Sequence, residues 1–248
     1  MFEKEIELRY FEMNHLGEAS PVTILTLLEE TAADHCDLIN HSLFDLLKQN
    51  IGWVLISGFI EMNRYPVYKE KIRIRTWLSK YKNSQGFREN IIFDVEGNII
   101  GRAKGQWLFY DISRRRPANI FEDIKQKWSF FSEESLPYDF PRIIHQIESA
   151  KFSKKFGVQH FDVDSNKHVN NIKYLQWGLE TIPPDFSENY FLNFLGGRFV
   201  KEAYYKDEIL SLAEPDDSNT AFKHNIKDIT NGNVCASAIT KWTKRKYV

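Results

Sequence analysis

The sequence predicts an α+β chain made of two copies of one unit, each a long helix followed by an antiparallel meander. Three observations carry this expectation: an internal repeat, one amphipathic helix pattern per copy, and alternating strands closed by Asn/Gly turns. The repeat sets Phe87-Arg88-Glu89-Asn90-Ile91 against Phe222-Lys223-His224-Asn225-Ile226 at an offset of 135, and the same offset carries Gly97 onto Gly232, Ala103 onto Ala238 and Trp107 onto Trp242. An offset of 137 pairs Tyr68-Lys69-Glu70-Lys71-Ile72 with Tyr205-Lys206-Asp207-Glu208-Ile209. Matches kept in register over several segments mark a duplicated fold.

In the first copy, Ile6, Leu8 and Tyr10 alternate with polar neighbours, a half-buried strand. Ser20-Pro21 then supplies an N-cap with proline at the first helical position, and Leu25, Leu28 and Ala32 follow on one face of a helix running to about Asp37. Strands are expected over 53–63, 72–78, 89–95 and 99–110, with Glu96-Gly97-Asn98 turning the last hairpin. The second copy repeats the plan: a strand over 151–158, a helix capped by Asn170 or Asn171 and stopped by Pro183-Pro184, then strands over 194–204, 208–213, 222–228 and 234–243. The Ser-, Glu- and Pro-rich stretch from Ser132 to Arg142 reads as a linker. The expected organisation is therefore an N-terminal unit at 1–131, a linker at 132–150 and a C-terminal unit at 151–248. A long helix ahead of a curved meander suggests a tandem (double) hot-dog, two antiparallel sheets each wrapped around a long helix and clasped as a covalent dimer.

Composition narrows the function. A formal charge of −1 gives no field that calls for nucleic acid or an anionic membrane. No apolar run approaches membrane-spanning length, and the start, Met1-Phe2-Glu3-Lys4-Glu5, lacks the basic opening of a signal peptide. Cys36 and Cys235 stand too far apart to suggest a disulfide framework or a metal spacing, so no metal or other cofactor is expected and a reducing cytoplasm is the default.

The chemistry concentrates at Asp164-Ser165-Asn166-Lys167-His168-Val169-Asn170-Asn171, just ahead of a helix. Carboxylate, amide and imidazole at i, i+2 and i+4 would point the same way from an extended backbone. The same Asp and Asn residues serve equally well in Asx-turns and an N-cap, and spacing alone leaves both readings open.

In its repeat context this signature resembles the acyl-acyl carrier protein thioesterases of plants and bacteria. Leu28-Glu29-Glu30-Thr31-Ala32-Ala33-Asp34-His35, Arg64-Tyr65-Pro66, Thr76-Trp77-Leu78-Ser79, Lys173-Tyr174 and Lys201-Glu202-Ala203 extend the resemblance over nearly the whole chain. It implies Asp164, Asn166, His168 and Glu202 as the catalytic set, and Ala203 stands where many plant members carry a cysteine. A chain that starts at its first strand fits a bacterial, cytoplasmic member. Thioester hydrolysis needs an activated water and a stabilised oxyanion, so Glu202 is expected as the general base or the group that aligns the nucleophile, Asp164 as the partner that orients His168 or shares the water, and His168 as the donor of a proton or a hydrogen bond to the departing sulfur. The backbone near Asn170 and Asn171, at the helix N-terminus, is the expected oxyanion donor together with the Asn166 amide.

At an offset of 150, Asn14, Leu16 and Glu18 stand opposite Asp164, Asn166 and His168, and at the offset of 137 Tyr65 falls opposite Glu202, so one active site per chain is expected. The first unit is then free to hold the acyl chain against Leu28, Ala32 and Trp53. Arg114-Arg115-Arg116 suits contact with an acidic carrier protein or its phosphopantetheine phosphate, as does the basic run Lys244-Arg245-Lys246, and a solvated basic turn accounts for each run equally well. Acyl carrier protein is the expected partner, and further association into a homodimer is compatible with the sequence. The competing functions are an acyl-CoA thioesterase, a dehydratase on the same scaffold, and a non-catalytic acyl-binding regulator.

Overall fold

The computed structural model describes residues 1–128, 130–140, 146–147, 149–165 and 167–245. The chain divides into two compact units, Met1–Phe140 and Pro141–Val248. The first contains β1 (Phe2–Glu7), α1 (Pro21–Leu38), α2 (Leu43–Lys48), β2 (Ile51–Met62), β3 (Lys71–Lys82), β4 (Gln85–Phe93), β5 (Ile99–Asp111), β6 (Arg116–Pro117) and α3 (Glu122–Lys127). The second contains β7 (Phe152–Gly157), α4 (Asn171–Leu179), α5 (Pro184–Asn189), β8 (Tyr190–Phe199), β9 (Glu208–Pro215), β10 (Ala221–Asp228) and β11 (Asn233–Lys244). Strand order is β1-β3-β4-β5-β2 in the first unit and β7-β9-β10-β11-β8 in the second, antiparallel throughout, so the two follow one plan.

The helix starts arise from local chemistry. Ser20 accepts the Thr23 N–H at 3.0 Å, with Pro21 at the first helical position where a missing N–H costs nothing. The buried face of α1 runs through Ile24, Leu27, Leu28, Thr31, Ala32, His35 and Cys36, and Leu25 lies half-buried at its margin. Gly97 and Gly232 turn the two hairpins at positive φ (85° and 70°), where a side chain would be strained.

Three local expectations change. The short helices α2, α3 and α5 were not anticipated: Pro183-Pro184 starts α5, with Pro184 at its first position, while α4 ends earlier at Leu179. The ladders set Asn90 against Thr76 and His224 against Ala213. Because Thr76 and Ala213 correspond at the offset of 137, β4 and β10 correspond at 134, one residue from the motif match. Part of the expected linker belongs to the first unit. Trp77 Nε1 donates to the Glu133 carbonyl at 2.9 Å, Ser135 N–H and Oγ donate to the buried Glu89 carboxylate at 2.9 and 2.7 Å, and Lys104 Nζ donates to Glu134 at 2.6 Å.

Candidate active site

The signature segment is a tight hairpin. Val163 and Val169 bridge, the Asp164 N–H donates to the His168 carbonyl at 2.9 Å, and the Lys167 N–H donates to the Asp164 carbonyl at 3.0 Å with Lys167 at a φ of 65°. The expected extended run with side chains aligned at every second residue is thus replaced by a turn, which brings the His168 backbone back against that of Asp164. Asn166 lies outside the described residues. Asn170 is the N-cap of α4, its Oδ1 accepting the Ile172 N–H at 2.8 Å, and its own N–H donates to the Asp162 carbonyl at 3.0 Å. The Asn170 and Ile172 N–H groups are therefore committed within the protein, and the positive end of the α4 dipole lies at this place.

Glu202 follows β8 by three residues, in a loop and not in the strand expected through Tyr204. That loop is pinned by the backbone: Val200 N–H to the Cys235 carbonyl at 2.8 Å, Val169 N–H to the Ala203 carbonyl at 3.1 Å, and Ala203 N–H to the Tyr174 hydroxyl oxygen at 2.8 Å. Burial, followed by the nearby Cys235 thiol, pushes the Tyr174 hydroxyl pKa well up, so it stays protonated. The first unit needs no such acceptor, because Pro66 stands where Ala203 does and Ile24 where Tyr174 does. Tyr174→Phe removes the acceptor from a buried N–H. It is expected to cost about 1–3 kcal/mol, read as a lower urea midpoint.

The two anchored loops bring His168 Nδ1 to 3.4 Å from Glu202 Oε1, with the side chains 29% and 39% exposed to solvent. This exceeds a good hydrogen bond but is within ion-pair reach. Asp164 lies half-buried in the same hairpin. Sequence reasoning missed Tyr204, whose hydroxyl donates to Glu202 Oε2 at 3.2 Å and whose ring meets the His168 ring edge-on at 5.3 Å between centroids.

The first unit builds the same hairpin without the chemistry. Asn14 N–H donates to the Glu18 carbonyl at 2.8 Å and Gly17 N–H to the Asn14 carbonyl at 3.0 Å. Ala19 N–H donates to the Pro66 carbonyl at 2.8 Å, which sets Tyr65, buried, at the place of Glu202. Leu28 and Ala32 are buried on α1, and Trp53 on β2 packs half-buried against Phe109 and Trp128. Arg114 and Arg115 lie in the exposed turn between β5 and β6 and Arg116, also exposed, opens β6, with the Arg114 N–H on Asp111 Oδ1 at 2.9 Å. Among the described residues no cluster of three or more His, Cys, Asp or Glu could hold a metal ion, and no helix is long and apolar enough to cross a membrane.

Comparisons with known proteins agree with this duplicated plan. Residues 1–128 match the model of the acyl-ACP thioesterase N-terminal domain, and residues 145–244 match that of the acyl-ACP thioesterase C-terminal domain. An oleoyl-acyl carrier protein thioesterase of Coriandrum sativum is 25% identical over 264 residues, covering 100% of this chain and 71% of the relative. A palmitoyl-acyl carrier protein thioesterase of Gossypium hirsutum is 27% identical over 91% of this chain and 58% of its own length. Both relatives are named chloroplastic. Among solved structures, the 12:0-ACP thioesterase from Umbellularia californica superposes with a TM-score of 0.87 at 19% identity, over 98% of this chain and 97% of that one. At that identity the likeness shows the fold, the tandem hot-dog.

Proposed function

The chain belongs to the acyl-ACP thioesterase family, and on that premise we propose that it hydrolyses acyl-acyl carrier protein to free fatty acid and holo-carrier protein in fatty acid biosynthesis. The observation that carries this reading is the accessible His168–Glu202 pair at 3.4 Å beside the start of α4, without a counterpart in the repeat-related loops of the first unit.

Glu202 takes a proton from a water as its oxygen bonds to the thioester carbonyl carbon. The electron pair of that carbonyl moves onto its oxygen, where the α4 dipole and the Asn166 amide stabilise the developing charge. Collapse of the tetrahedral intermediate breaks the C–S bond, and His168 relays a proton to the departing sulfur. Asp164 orients His168. The first unit holds the acyl chain through Leu28, Ala32 and Trp53, and the exposed basic run Arg114–Arg116 meets the carrier protein. The two free cysteines, both buried, accord with a reducing cytoplasm.

Thiol release by the purified protein, followed on matched acyl-carrier-protein and acyl-CoA thioesters of several chain lengths, tests the proposal. The expected result is turnover with a higher kcat/KM on the carrier-protein substrates. A preference for CoA would reassign the thiol carrier, and no turnover on either would overturn the enzyme reading.

A further inference from the structure

The repeat provides an internal control for what each residue near the pair does. The correspondence that sets Tyr65 against Glu202 and Pro66 against Ala203 sets Val67 against Tyr204 and Tyr68 against Tyr205. Tyr68 and Tyr205 share one job. Each is about half exposed, and each meets a ring of the short 3-10 turn before the hairpin, Tyr10 at 6.1 Å and His160 at 5.8 Å. Val67 and Tyr204 share a backbone job: the Val67 N–H donates to Glu70 Oε2 at 3.0 Å, and the Tyr204 N–H to Asp207 Oδ2 at 2.8 Å. Valine performs it as well as tyrosine, so the fold does not require a phenol at this place. Burial does not explain it either, since Tyr204 is 40% exposed.

What the Tyr204 side chain adds is contact with both members of the pair. Its hydroxyl donates to Glu202 Oε2 while Glu202 Oε1 faces His168 Nδ1, so the two carboxylate oxygens have different partners and the rotation of the group is defined. Its ring, 81° from the plane of the imidazole, limits the swing of His168. We infer that Tyr204 is a positioning residue, fixing Glu202 and His168 in one orientation so that a water is activated from a single direction. The inference rests on the assignment of Glu202 and His168 made above.

Steady-state kinetics on a carrier-protein thioester should compare the full chain with Tyr204→Phe, Tyr204→Val, Glu202→Gln and the Glu202→Gln/Tyr204→Phe double variant, with thermal melts alongside. Tyr204→Phe is expected to lower kcat about tenfold with KM and melting temperature nearly unchanged, and Tyr204→Val to fall at least as far. The double variant should be no slower than Glu202→Gln alone, because the hydroxyl acts through that carboxylate. Wild-type kcat in Tyr204→Phe or Tyr204→Val, a change confined to KM, or a further full loss in the double variant would overturn the inference. Wild-type kcat in Glu202→Gln would overturn the site assignment itself, independently of what Tyr204→Phe does.

Discussion

Glu202→Gln and His168→Ala are each expected to lower kcat on an acyl-carrier-protein thioester by about 10² to 10⁴-fold, the range a positioned acid or base contributes. Glutamine keeps the size of Glu202 and still accepts the Tyr204 hydrogen bond, but it takes no proton from water. Alanine at 168 removes the group that faces Glu202 at 3.4 Å. Both side chains are partly exposed, so neither change opens a cavity, and stability should move by no more than about 0.5 kcal/mol. Cysteine chemistry makes the contrasting control. Burial pushes the Cys235 thiol up to about 12 and raises that of Cys36, so neither supplies a thiolate near neutral pH. Cys36→Ser and Cys235→Ser should keep kcat, and alkylating reagents should leave the native enzyme active. Thiol-release rates on the four variants decide the matter: wild-type kcat in Glu202→Gln or His168→Ala, or loss in both cysteine variants, would refute the mechanism.

Much of the architecture was legible because local chemistry and tertiary packing agree. Ser20-Pro21 starts α1, Gly97 and Gly232 turn the β4–β5 and β10–β11 hairpins, and the long strands lie within a few residues of their expected bounds. The errors have physical causes. Six-residue helices such as α2 and α5 are too short to show a helical period, and a proline pair carries the same signal whether it ends one helix or begins another. The slip in β4 arose because the motif match was anchored on a phenylalanine and the hairpin glycine, whereas the ladder is anchored on Asn90 against Thr76. In a strand one residue exchanges the faces, so Asn90 shares its place with His224 and not with Asn225.

The site was legible to a lesser degree. Spacing flagged the hairpin, but Asn170 proved to be the helix cap that the competing structural reading foresaw. Glu202 entered only through the family resemblance. It lies in an irregular loop, where neither the two-residue nor the 3.6-residue period says which way a side chain points. Tyr204 was invisible for the same reason. It becomes informative only once the hydrogen bonds of the two units are laid side by side and Val67 is found doing the same backbone work.

Acid should destabilise the fold before it titrates the surface carboxylates. His35 on α1 and His224 on β10 are 5% and 1% exposed. Burial, then the Arg88 guanidinium and the chain's own N-terminal ammonium, push His35 down to about 3. Arg88 Nη1 lies 3.1 Å from His35 Nδ1, and donation across that contact requires the neutral ring, so a proton there would break the bond and set two cations together. Burial pushes His224 down to about 4, in a small cavity lined by Tyr174, Leu175, Ile226 and Ala238. For a base whose folded pKa is depressed, the unfolded chain binds the proton first. The stabilisation is therefore complete above the unfolded value near 6.5 and is lost as pH falls toward the folded one. Each histidine then removes up to about 1.4 kcal/mol per pH unit below 6.5, and the two together about 3–4 kcal/mol between pH 7 and pH 5. Carboxylates held low by hydrogen-bonded cations, Glu3 by Arg73 and Glu134 by Lys104, lose their contribution only below their ordinary value of 4.5, so this window isolates the imidazoles. The urea midpoint of the wild type should fall steeply from pH 7 to pH 5, and that of a His35→Gln/His224→Gln variant should stay nearly level. A wild-type midpoint unchanged across the same interval would mean that one or both rings take up a proton inside the fold, and the buried contact between Arg88 and His35 would then need a different hydrogen-bond pattern.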